Sequence, residues 1–258
     1  MNNKIKKILK KKNKSKIVCL TAYSKNIAEI IDDHADIVLV GDSLGSVLYN
    51  YDTTRKVSLN MMIEHTKSAR MGVKKSLLVI DLPYNTYRNK SEALKNSKKA
   101  IKDTKCDAVK VEGGTRVKEI VKHLVKNKIP VLGHIGITPQ TTKGKFRSKG
   151  KNEKEIRKLL KDARDLEQSG AFGMVLECIY SDISKQITSA INIPTIGIGA
   201  SVNCDGQVLV TDDLIGLNET KFRFVKKFGN IKKDIKSAVI KYKNSVKQKK
   251  FPSKKNSY

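Results

Sequence analysis

Eight short apolar runs, rich in β-branched residues, recur along the chain, and longer stretches with helical spacing separate most of them. The runs fall at residues 17–21, 37–40, 76–80, 108–111, 131–134, 174–176, 195–198 and 207–210. Amphipathic patterns cover 24–33, 59–71, 91–104, 116–127, 153–169 and 181–190, and a last one runs from about 221 to 246. Strands that are apolar along both faces and alternate with helices point to repeated βα units around a parallel sheet. Eight such units in one chain of 258 residues predict an α/β (β/α)8 TIM barrel built on a single core. The seventh helix is weak or replaced by the Gly- and Asn-containing stretch 199–206, and no sequence repeat of fixed period is visible. An open doubly wound sheet is the structural alternative. The expected organisation is a frayed basic leader at 1–16, one barrel domain at 17–246 that includes the C-terminal helix, and a disordered basic tail at 247–258.

The residues at the ends of the apolar runs are more informative than the runs themselves. Val40 leads into Gly41-Asp42-Ser43, Ile80 into Asp81, Val111 into Glu112, Gly133 into His134 and Leu176 into Glu177. Any one of these has a bland reading, since an acid after a strand can cap the next helix or pair with a surface lysine. Five in succession carry more, because a barrel gathers its strand C-termini on the face where barrel enzymes build their active sites. Asp42, Asp81 and Glu112, without Cys or a His pair at ligand spacing, form an oxygen-rich set that suits a hard divalent cation such as Mg2+ better than zinc. Residues two apart in a strand share a face, so Lys110 and Glu112 point together into the barrel while Val109 and Val111 face the helices. A lysine there requires an acid or an anionic ligand beside it.

Charge tests the competing class of function. The formal net charge is +28, but residues 1–16 contribute +8 and 221–258 contribute +13, leaving +7 on the middle of the chain. No stripe of basic and aromatic residues accompanies that charge, which argues against a nucleic-acid partner. Cys19, Cys106, Cys178 and Cys204 lack C-x-x-C spacing and read as small buried hydrophobes. No apolar run approaches the roughly 18 residues needed to span a bilayer, so a soluble cytoplasmic protein without a membrane partner is expected.

Two short motifs are decoys. Gly41-Asp42-Ser43-Leu44-Gly45 satisfies the G-x-S-x-G pattern of a nucleophilic serine, yet the last histidine is His134 and no late acid–histidine pair comes after it. Gly197-Ile198-Gly199 lacks the third glycine of a dinucleotide fingerprint, because position 202 is Val.

Nine segments, taken in order, resemble the ketopantoate hydroxymethyltransferase family: CLTAY at 19–23, LVGDSLGSV at 39–47, YDTT at 51–54, MIEH at 62–65, DLPYNTY at 81–87, VKVEGG at 109–114, GHIGITPQ at 133–140, GAFGMVLE at 170–177, and IPTIGIGA with CDGQVLV after it at 193–210. The resemblance runs from about residue 17 to 217. It implies a TIM barrel in a homo-oligomer, typically a decamer, with Mg2+ held by Asp42, Asp81 and Glu112. It also implies that a 2-oxo acid contacts Asp42, Ser43, Asp81 and Lys110, that Glu177 is the proton acceptor, and that His134 lies at the site mouth. The implied reaction passes a one-carbon unit from 5,10-methylenetetrahydrofolate to 3-methyl-2-oxobutanoate, giving 2-dehydropantoate and tetrahydrofolate in pantothenate synthesis. Leu176 and Cys178 surround Glu177 with apolar surface. Another Mg2+-dependent 2-oxo-acid lyase or mutase of the phosphoenolpyruvate/pyruvate type is the alternative enzyme, and a basic nucleic-acid-binding protein the alternative class. The chain departs from the family pattern in a shortened loop after Gln140 and in Lys56, Met71 and Ser201. The basic leader and tail lie outside the resemblance.

Overall fold

The computed structural model describes residues 2–142, 147–219 and 222–258. Eight parallel strands close into a barrel in chain order: β1 (Ile17–Thr21), β2 (Ile37–Val40), β3 (Leu77–Asp81), β4 (Ala108–Glu112), β5 (Val131–Gly136), β6 (Gly173–Glu177), β7 (Thr195–Ile198) and β8 (Gly206–Leu209). The helices of this unit are α1 (Asn3–Lys10), α2 (Lys25–Asp32), α3 (Leu44–Tyr49), α4 (Leu59–Gly72), α5 (Lys90–Thr104), α6 (Lys118–Lys126), α7 (Glu153–Gln168) and α8 (Ser181–Ala190). No helix stands between β7 and β8, so of the two expectations for the seventh helix, weak or replaced by 199–206, the second holds. Strand ends differ from the sequence expectation by one or two residues. In β3, β4 and β6 the difference matters, because Asp81, Glu112 and Glu177 are themselves the last strand residues.

Two cores arise from the alternation of the strands. Val38, Val40, Leu78, Ile80, Val109, Val111 and Leu176 point outward and pack with the helices, whereas Ile37, Leu39, Leu77, Val79, Ala108, Leu132 and Val175 fill the barrel. Continuing the inward parity to the C-terminal ends puts Asp81, Lys110, Glu112, His134 and Glu177 on the same inner face. Asp81 pairs in register with Lys110, and Glu112 with His134.

The basic leader is ordered, contrary to the expectation of a frayed segment. Asn2 caps α1 by accepting from Lys4 N at 2.9 Å, and Ile5 and Ile8 are buried against Ile17, Ile37 and Leu77 at the N-terminal end of the barrel. The lysines of the leader have specific partners. Lys4 Nζ donates to Ser76 O at 2.7 Å, Lys11 pairs with Asp36 at 2.7 Å, and Lys12 pairs with buried Asp205 at 2.9 Å. Asp36 and Asp205 in turn accept from backbone N–H groups of Val18 and Thr195. The apolar spacing of Ile5 and Ile8 on a helix carried the signal, hidden within a run of lysines.

The chain divides at residue 210. The second unit, Thr211–Tyr258, contains the short helix α9 (Thr211–Leu214) and the long helix α10 (Ile231–Lys247). The expected helix from about 221 therefore starts ten residues late; residue 221 lies outside the described residues. Gly229 precedes the true start, and the side chain of Asn230 accepts from Lys233 N as the N-cap. Residues 248–258 are exposed and carry no helix or strand. No described helix is long and apolar enough to cross a membrane. All four cysteines are free; Cys19, Cys106 and Cys204 are buried as expected, while Cys178 is only half-buried.

Candidate active site

The C-terminal ends of β2 to β6 bring the predicted residues together. Lys110 Nζ donates to Asp81 Oδ1 at 2.8 Å, and the side chains are 7% and 3% exposed. The backbone N–H of Asp42 donates to Asp81 Oδ2 at 3.1 Å. Gly41 allows this close turn, because a Cβ there would stand 2.8 Å from Ser43 Oγ. Ser43 Oγ is 2.8 Å from Tyr23 OH, a phenol rather than an activating imidazole, which removes the support for a nucleophilic serine.

Burial and crowding of like charges govern the electrostatics. Burial, then the neighbouring Asp81 charge, pushes the Asp42 carboxyl up to about 7 against the pull of Lys110. Burial and then Asp42 likewise raise Glu112 well above the carboxylate range. Burial alone would lower Lys110, but Asp81, Asp42 and Glu112 outweigh it, so the ammonium stays charged.

Gln140, which in the sequence only closes the segment GHIGITPQ, proves central in the fold. It is 1% exposed, donates from its backbone N to Glu112 Oε1 at 2.9 Å, and donates from Nε2 to both Asp42 Oδ2 at 2.8 Å and Leu82 O at 3.0 Å. Its Oε1 accepts from Tyr87 OH, and its carbonyl accepts from Arg55 Nε at 2.8 Å. Burial and then the Glu112 charge push the Tyr87 phenol up, keeping it a donor. The only sequence signal for Gln140 is a polar residue soon after a strand end, the same signal that marks the acids. The loop after it, expected to be short, continues into residues 143–146, which lie outside the described residues.

His134 is placed differently from the expectation. It is 2% exposed, inside the barrel rather than at the mouth, since it belongs to β5 beside Glu112 and not to the loop above. Its Nε2 lies 3.1 Å from Glu177 Oε2 and its Nδ1 3.6 Å from Glu112 Oε2, but neither contact has hydrogen-bond geometry, so both ring nitrogens are buried without a satisfied partner. The Glu177 side chain is 22% exposed, more open than its apolar neighbours predict. Gly136 permits the close approach of β5 to β6: at φ +103° a Cβ there would meet Glu177 O at 2.1 Å. Lys56 pairs with Asp52, Met71 is exposed, and Ser201 bonds Ser181, so none of the three departures joins this cluster.

Three buried carboxylates without sulfur suit a hard divalent cation by donor type. As placed, Asp81 is tied to Lys110 and Asp42 to Gln140, and among the described residues no three His, Cys, Asp or Glu side chains converge at metal-binding distance. The cluster can hold an anionic oxygen at Lys110, and it has a partly exposed carboxylate at Glu177 available to take a proton.

The chain resembles known proteins over its whole length. The family model for ketopantoate hydroxymethyltransferase matches residues 2–254, so the leader and most of the tail fall within the family match rather than outside it. The chain is 61% identical to the 3-methyl-2-oxobutanoate hydroxymethyltransferase of Pelagibacter ubique (strain HTCC1062) over 258 residues, the full length of both. It is 48% identical to the enzyme of that name from Rhizobium etli over 241 residues, 92% of this chain and 88% of the relative. Among solved structures, the phosphoenolpyruvate phosphomutase of Streptomyces platensis subsp. rosaceus matches with a TM-score of 0.64 at 8% identity, over 95% of this chain and 87% of that one. A phosphonopyruvate hydrolase complex with oxalate and Mg++ matches with a TM-score of 0.61 at 8% identity, over 99% and 93%. The two structures share the barrel fold. The sequence relatives share far more, and the chain is an enzyme of the ketopantoate hydroxymethyltransferase family.

Proposed function

We propose that this chain transfers a hydroxymethyl group from 5,10-methylenetetrahydrofolate to 3-methyl-2-oxobutanoate, with Glu177 as the base and Mg2+ at Asp42, Asp81 and Glu112. The observation that carries the reading is the gathering, at the C-terminal ends of neighbouring strands, of a charged buried lysine, three buried acids and a fourth, partly exposed carboxylate. A bound divalent cation would supply Lewis-acid stabilisation of negative charge on the acceptor's keto oxygen. Lys110, fixed by Asp81, orients the anionic end of the acceptor, and Asp42 N and Ser43 lie at the same strand end. Glu177 takes the C3 proton, and His134 beside it limits where that carboxylate can swing. Water breaks the two C–N bonds of the donor's methylene bridge, releasing tetrahydrofolate and the one-carbon unit at the formaldehyde level. The C3 carbanion adds to that carbon, and the proton held by Glu177 passes to the resulting alkoxide to give the hydroxyl.

The deciding experiment is NMR of 3-methyl-2-oxobutanoate in D2O with the enzyme and Mg2+ but no folate. Wild type is expected to exchange the C3 proton for deuterium and Glu177→Gln is not; exchange that survives in the variant sinks the base assignment.

The enzyme is also proposed to act as a homo-oligomer, a decamer by family likeness. Supporting this, α10 carries the exposed apolar residues Ile235, Val239, Tyr242 and Val246 at helical spacing along one side. Light scattering checks the mass; a monomer at micromolar concentration would refute it.

A further inference from the structure

Beside the acid cluster, a cavity of about 310 Å3 opens between the loops after β3 and β4, with Thr141 of the loop after β5 at its edge. Its volume is at the lower end of the range for small-molecule sites, enough for part of a large cofactor rather than the whole. Tyr84 and Tyr87 supply aromatic lining, Val117 and Ile120 apolar lining, and Arg88 and Arg116 positive charge.

The cavity shares a wall with the acids. Tyr87 OH donates to Gln140 Oε1, and the same Gln140 side chain holds Asp42. Tyr84 is tied to the same residue from the other side, because the Arg55 guanidinium stands 5.1 Å over its ring while Arg55 Nε donates to Gln140 O. A ligand with one end over the acids can therefore lay its next segment against two tyrosine rings.

The arginines differ in availability. Arg88 is engaged with Glu92, its Nη2 2.8 Å from Oε1. Arg116 has no hydrogen-bond or ion-pair partner among the described residues, and its Nη2 lies 3.3 Å from where a Cβ on Gly113 would stand, next to Glu112. An exposed arginine is ordinarily just solvated; at the rim of an aromatic cavity, its planar guanidinium has the fork geometry that matches a carboxylate.

The geometry points to this cavity as the subsite for the benzoyl-glutamate portion of the one-carbon donor, with the ring on Tyr84 and Tyr87 and a glutamate carboxylate on Arg116. The assignment rests on the reading that the donor is a folate. It explains why two tyrosines and a second cationic group sit together beside a site whose acceptor already has Lys110 for its anionic end.

Steady-state kinetics on the full-length enzyme test it, with 5,10-methylenetetrahydrofolate and with a methylene-tetrahydropterin that lacks the benzoyl-glutamate. Arg116→Ala is expected to raise the folate KM on the order of tenfold, the scale of one charge-assisted hydrogen bond, with Arg116→Lys recovering part of the loss. The KM for the tetrahydropterin and for 3-methyl-2-oxobutanoate should stay as in wild type. Arg157→Ala, at an exposed α7 arginine paired with Glu153, is the charge-matched control. If wild type uses the folate and Arg116→Ala and Tyr84→Leu leave its KM unchanged, the subsite is overturned while the reaction stands. A wild type that turns over no folate donor overturns both.

Discussion

Lys110 Nζ lies 2.8 Å from Asp81 Oδ1, and the two residues pair in register on neighbouring strands, both nearly sealed from solvent. In a chain with 53 basic residues this lysine differs from the others by location rather than type. Lys110→Ala leaves the Asp81 carboxylate buried without its counter-charge, which typically costs about 3–5 kcal/mol of stability. Acceptor binding should fall by a larger factor than in any surface variant. Lys98→Ala, at an exposed position of α5, should stay within about 0.5 kcal/mol of wild type. Calorimetric titration of both variants with 3-methyl-2-oxobutanoate, alongside urea melts, checks the contrast; equal losses would make Lys110 an ordinary lysine.

Gln140 links Asp42, Glu112 and Tyr87 through one side chain and its backbone. Gln140→Leu keeps the backbone bond to Glu112 and frees the Asp42 carboxylate. A cation site at these acids should then lose roughly 10- to 100-fold in Mn2+ affinity, the usual effect of removing a residue that orients a ligand. Electron paramagnetic resonance of free Mn2+ measures it without turnover. Unchanged affinity would reduce Gln140 to packing.

Ile5 and Ile8 close the N-terminal end of the barrel. Ile8→Ala should destabilise the enzyme by about 2–5 kcal/mol, as for other buried large-to-small changes. Deleting residues 2–16 should do worse, exposing Ile17, Ile37 and Leu77 and removing Lys12 from Asp205. A thermal midpoint unmoved by that deletion would return the leader to the status of an appendage.

Asp32 provides a stability term with a definite sign in pH. Burial alone would raise its pKa, but the backbone N–H groups of Ser76, Lys75 and Lys74 outweigh burial and hold it below the usual value. A depressed folded pKa gives stability that is complete above the unfolded value of about 4 and is lost as pH falls through the folded one. Asp32→Asn should therefore cost about 1.5–3 kcal/mol at pH 7 and less at pH 3, seen as denaturation midpoints that converge in acid. A gap that widens in acid would contradict the assignment.

Much of the fold was legible because its signals are local. Alternating apolar runs and helical spacing identify strands and helices within a few residues of chain, and the repetition of the βα unit leaves few ways to close a sheet. Acids at successive strand ends were legible for the same reason, since a parallel barrel carries every strand end to one face. The start of the C-terminal helix was not, because its amphipathic pattern continues upstream, while Gly229 and the Asn230 cap decide where it begins.

By itself the sequence determined the order of elements, the inward parity of Lys110 and Glu112, and the family to which the chain belongs. Only the tertiary structure decided what those side chains touch. Asp42 meets Gln140 across 98 residues and Asp81 meets Lys110 across 29, and the buried place of His134 depends on its strand lying beside Glu112. The physical reason is assembly. Strand pitch and helix period are properties of a segment, whereas these contacts exist only once separate strands pair in register and the loop after β5 folds over their ends, and no spacing within a segment encodes that.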